Sequence, residues 1–151
     1  MKERNKSIFR ILLFASAGIL LAQTVLLVVL GDDKYIRIVL PLIFIIVELG
    51  TGALFVYSIL NPQYNRNYTF RKRDGHWKWE RITYGPDPDG LRYISAGVGA
   101  LMTAMLFAVI SASVLWPEVM TKKVIPIPVV ALLLSFYIIY GIIEHKLGKQ
   151  L

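Results

Sequence analysis

The chain has 151 residues, 56% of them hydrophobic, with 17 basic residues against 10 acidic ones, a net charge of +7 and no cysteine. The missing cysteines exclude disulfides, thiolate metal sites and thiol nucleophiles. A mean hydropathy of +0.56 with bunched charges excludes an ordinary soluble domain, whose helices each show a charged face to water. A pI near 9.7 would suggest nucleic-acid binding in a soluble protein. In a membrane protein it is the ordinary bias of cytoplasmic segments, and nucleic acid is not an expected partner.

The first predicted element is a membrane span over roughly 8–30. Its basic start, Met1-Lys-Glu-Arg-Asn-Lys6, together with the small-residue run Ala15-Ser16-Ala17, has the outline of a signal peptide. However, the apolar sequence continues from Gly18 to Leu30 and too little of it precedes Ala17, so a retained helix is expected. A second span follows over 35–60. Near its middle lies Glu48, the one ionisable residue deep within any span. A bare carboxylate at that depth costs about 3 kcal/mol or more, so Glu48 is expected to face other helices. Thr51 and Gly52, about one turn on, are expected to share its side. Thr103 and Ser135 lie at comparable depth on other spans, with Gln23 somewhat nearer the outer surface, and together they complete an expected polar layer.

Residues 61–92 form the one sizeable loop. Within it Asp74-Gly75 separates two alternating, aromatic-rich runs, the pattern of a β-hairpin closed by a type I′ turn. Two-residue closure pairs Arg73 with His76, Lys72 with Trp77, Phe70 with Trp79 and Tyr68 with Arg81. One face then carries Tyr68, Phe70, Lys72, Trp77, Trp79 and Arg81, an aromatic surface for the membrane interface or a partner. The other includes Arg71, Arg73 and Lys78, suited to anionic headgroups. The run Gly85-Pro86-Asp87-Pro88-Asp89-Gly90 reads as a rigid turn.

The third span, over 93–116, spaces Ala96, Ala100, Ala104, Ala108 and Ala112 four residues apart. Such a stripe lets another helix approach closely. The fourth span covers 124–143. Each span has about the 20 residues that cross a bilayer. The fold class is therefore an all-α membrane protein, a single polytopic domain of four transmembrane helices in an antiparallel bundle with a hairpin between helices 2 and 3.

Orientation follows from the cations. Lys2, Arg4, Lys6 and Arg10 precede the first span; Arg66, Arg71, Lys72, Arg73, Lys78, Arg81 and Arg92 lie in the loop; Lys146 and Lys149 follow the fourth span. Only Lys34, Arg37, Lys122 and Lys123 fall on the other side. The positive-inside bias puts both termini and the loop at the cytoplasmic face of the cell membrane.

No Ser/His/Asp arrangement, paired carboxylates or phosphate-binding loop is present, and the two histidines, His76 and His145, lie outside the spans. Neither a metal, a cofactor nor catalysis is expected. The leading expectation is a non-catalytic accessory subunit of a multi-subunit membrane complex, of energy-converting or oxidoreductase type, with other membrane subunits as partners. The alternatives are a small oligomeric transporter or channel built around Glu48, and a lipid-interacting protein that clamps headgroups with its hairpin.

Overall fold

The computed structural model describes residues 2–61, 68–81 and 89–148, and the side chains of these except 68–73, 80, 81, 147 and 148. Among them four helices are long and apolar enough to cross a membrane, a set compatible with a multi-pass membrane protein. They are α1 (Lys2–Leu30), α2 (Leu40–Leu60, entered through a π-helical turn at Tyr35–Val39), α3 (Leu91–Leu115) and α4 (Pro126–Gly148).

The main departures from the sequence expectation lie in α1, α4 and the start of the second span, while α3 shifts by only one or two residues at its ends. Helix α1 starts at Lys2 instead of residue 8, because Lys2–Ser7 contains no glycine or proline to stop it. Buried Asn5 ties this extension down by donating Nδ2–H to the Asp89 carbonyl at 2.6 Å. Helix α4 starts at Pro126 and runs on to Gly148. Pro126 and Pro128 both sit in its first turn, where a missing N–H costs nothing. The second span does not begin as a regular helix: Asp33 Oδ1 accepts from the Ile36 amide at 2.9 Å, and Arg37 Nε donates back to the Val28 carbonyl at 3.0 Å. Arg37 thereby satisfies one of the orphan carbonyls at the end of α1.

Helix α3 is the hub. It packs against α1, α2 and α4, whereas α1 and α4 do not meet among the described residues. Its composition explains this position, since Ser95, Ala96, Gly97, Gly99, Ala100 and Ala104 are all buried and small side chains let helices approach. The tightest point is Gly99, where a Cβ would collide with the Phe55 ring. Phe55 in turn lies 5.1 Å from Phe136, centroid to centroid. The edge-on pairs Phe44–Phe107 and Phe9–Tyr93 add further contacts. The outward faces expose large apolar groups such as Phe14, Leu54 and Tyr137, as lipid contact requires.

Strands β1 (Tyr68–Arg73) and β2 (His76–Arg81) form a two-stranded antiparallel ladder. The register is Tyr68 opposite Arg81, Phe70 opposite Trp79, Lys72 opposite Trp77 and Arg73 opposite His76. Asp74 and Gly75 both take positive φ, 53° and 78°, the conformation of a type I′ turn. Among the described residues neither strand approaches a helix.

Candidate intramembrane site

Glu48 and Gln23 are each about 95% buried, and the structure brings them together across the α1–α2 interface. Gln23 Nε2 donates to Glu48 Oε2 at 2.9 Å. A carboxyl group removed from water needs a donor, and α1 supplies this one. The match is incomplete: Gln23 Oε1 is buried with no partner, and no described group donates to Glu48 Oε1.

On one side of this bond α1 and α2 diverge. The space between them is a groove of about 270 Å³, walled by Leu13, Ser16, Ala17 and Leu20 from α1 and by Glu48, Leu49, Gly52, Ala53 and Val56 from α2. Ala100, Thr103 and Ala104 of α3 form its floor. Leu13, Ala17, Leu49 and Ala53 are exposed at the rim, so the groove opens sideways between the two helices. From Glu48 to Val56 it runs about 12 Å along α2.

Its polar lining is chemically uniform. Ser16 Oγ donates to the Leu12 carbonyl at 2.8 Å, and Thr103 Oγ1 donates to the Gly99 carbonyl at 2.9 Å. Each hydroxyl proton is committed to its own helix, which leaves oxygen lone pairs as the remaining capacity. Thr103 therefore shares the groove with Glu48 without bonding to it.

Ser135 is not part of the layer. It is exposed on α4 and donates to the Ala131 carbonyl at 2.7 Å, because α4 reaches α3 through another face. Thr51 also points outward and bonds back to the Val47 carbonyl, whereas Gly52 lines the groove. The alanine stripe is occupied within the chain. Ala96, Ala100 and Ala104 are buried, and Ala108 and Ala112 are half-buried.

A second buried polar cluster escaped the sequence reading. At the start of α3, Arg92 Nη1 and Nη2 donate to the two oxygens of Glu144 on α4 at 3.0 and 3.4 Å. Arg92 Nη1 also lies 3.3 Å from the Ile59 carbonyl, at the end of α2. The two side chains are only 5% and 9% exposed. In the sequence Arg92 reads as one more loop cation, and Glu144 lies just past the expected end of the fourth span. The available signal was that opposite charges flank two spans on the same side of the membrane.

In the hairpin, Trp77, Lys78 and Trp79 are exposed. The side chains of Tyr68, Phe70, Arg71, Lys72, Arg73 and Arg81 lie outside the described residues, as does the turn over 85–88. No group of three or more potential metal ligands occurs among the described residues. No protein-family model matches this chain, and it has no significant match among curated proteins or solved structures.

Proposed function

We propose that this protein is a non-catalytic subunit of a larger membrane assembly, with four antiparallel helices and both termini and the hairpin at the cytoplasmic face of the cell membrane. The antiparallel reading is supported by the aromatic contacts: Phe44 meets Phe107, while Phe55, further along α2, lies against Gly99, earlier on α3. The concentration of Lys and Arg at the ends and in the loop supports the orientation.

The observation that carries the subunit reading is the hairpin. An isolated two-stranded ribbon is marginal in water. This one approaches no described helix, and Trp77 and Trp79 on one face are 60% and 72% exposed. Tryptophan is a leading anchor residue at protein interfaces, so a neighbouring subunit is the surface that completes the ribbon. The Ala96–Ala112 stripe adds nothing to this reading, because the chain's own helices already cover much of it.

The test is the composition of the particle extracted from its native membrane in mild detergent. A heteromeric particle is expected, and Trp77→Ser with Trp79→Ser should release this chain from it. A homogeneous species containing this chain alone would overturn the proposal.

A further inference from the structure

The groove beside Glu48 has the properties of a ligand site, independently of how the hairpin docks. Its walls are apolar apart from Ser16, Glu48 and Thr103, and neither hydroxyl offers a donor to a guest, since both protons are bound by helix carbonyls; an ionised Glu48 offers acceptors alone. Glu48 keeps one carboxyl oxygen without a described donor; the buried Gln23 Oε1 is also unpartnered, although Gln23 is not among the residues that line the groove. No Lys or Arg lines the groove. A buried acceptor without a partner is costly, and in a lipid-facing site water is a poor source of donors.

Gly52 is the second observation. Within a helix, glycine costs about 1 kcal/mol relative to alanine. Here a Cβ would meet nothing within 4 Å. The same holds at Gly18, Gly50 and Gly141, but among these four it is Gly52 that lines the groove and adds to its open volume. That volume, about 270 Å³, is nearly twice the ~150 Å³ that holds benzene in an engineered cavity.

We propose that this groove binds a lipid-soluble amine in its protonated form, which enters from the bilayer between α1 and α2. The ammonium donates to Glu48 and to the Ser16 and Thr103 oxygens that line the groove, and the apolar body lies along Ala53, Ala100 and Ala104. An anionic guest would face a carboxyl group with no compensating cation. A purely apolar guest would leave the acceptors unsatisfied.

The test uses the full chain in phosphatidylcholine nanodiscs, with empty nanodiscs as the partition control. The probes are tritiated 4-phenylbutylammonium and 4-phenylbutanol. Saturable excess binding of the amine is expected, with the alcohol weaker by about tenfold or more, the worth of one charge-assisted hydrogen bond. Glu48→Gln, which keeps an acceptor for Gln23, should weaken amine binding by a similar factor. Gly52→Leu should abolish it by filling the groove, while Gly50→Leu, at another open position on the same helix, should leave it intact.

Equal affinity for amine and alcohol would overturn the proposal. So would full amine binding by Glu48→Gln, or equal losses in the two leucine variants. If Gly52→Leu blocks both probes and Glu48→Gln blocks neither, the groove holds a lipid chain instead. Should Glu48→Gln fail to elute as a single species, the alcohol comparison and the two leucine variants still decide the matter.

Discussion

Two buried carboxylates divide this protein into regions that use the same group differently. Glu144, at the α3–α4 end, takes both nitrogens of the Arg92 fork, so its charge is neutralised within the fold. Glu48, at the α1–α2 seam, receives one amide proton from Gln23 and no charge. A carboxylate matched by a guanidinium has little capacity left for a ligand. One held by a single neutral donor beside an open groove retains that capacity. The contrast assigns Glu144 to holding helices together and Glu48 to contact with a guest.

The largest expected effect tests the locked region. Arg92→Leu strands the buried Glu144 charge and also removes a donor from the Ile59 carbonyl. It should destabilise the protein by about 3–5 kcal/mol, measured by denaturing-detergent titration of helicity. The double variant Arg92→Leu with Glu144→Leu should recover most of that loss, since a well-packed apolar pair can replace a buried ion pair. If the double variant is as unstable as the single one, the pair is not acting as a unit.

Gln23→Leu performs the same operation at the seam, removing the partner and leaving the carboxyl. The expected loss is smaller, about 1–2 kcal/mol, because Glu48 lines an open groove and remains free to adjust there. Detergent titration of the two variants side by side sharpens the comparison. A cost for Gln23→Leu equal to that for Arg92→Leu would mean that Glu48 is as tightly built into the fold as Glu144, and the distinction would collapse.

How much of this was legible in the sequence follows the range of the interactions. The spans were readable because crossing a bilayer demands about 20 apolar residues in a row, a local property. The hairpin pairing was readable because Asp-Gly closure dictates every later pair. The burial of Glu48 against another helix was readable because a carboxyl at that depth must find a partner, and Gln23, somewhat nearer the outer surface, was within the expected layer. Ser135 and Thr51 were misplaced because depth does not specify the rotation of a helix about its axis, which tertiary packing decides. The Arg92–Glu144 pair was hidden for a different reason. Charges at span ends ordinarily reach the headgroups, so neither residue signals burial until α3 and α4 are docked. Likewise the alanine stripe announced close packing but could not say whether the partner was this chain or another.

The smallest expected effect is the sharpest on the open side. At Gly99 a Cβ would strike Phe55, whereas at Gly52 it would meet nothing within 4 Å. The two glycines of adjacent helices thus stand in opposite surroundings, close contact in one case and open volume in the other. Gly52→Ala should therefore stabilise the protein by about 0.5–1 kcal/mol through helix propensity alone, while Gly99→Ala should destabilise it by about 1–3 kcal/mol through overpacking. Both shifts are read from the same unfolding titration. Destabilisation by Gly52→Ala would mean that the groove closes on itself in the membrane, with α1 and α2 in contact where the structure holds them apart. Stabilisation would mean that the helix gains its propensity while the groove stays open, so that the space beside Glu48 accepts a side chain at this position without a clash.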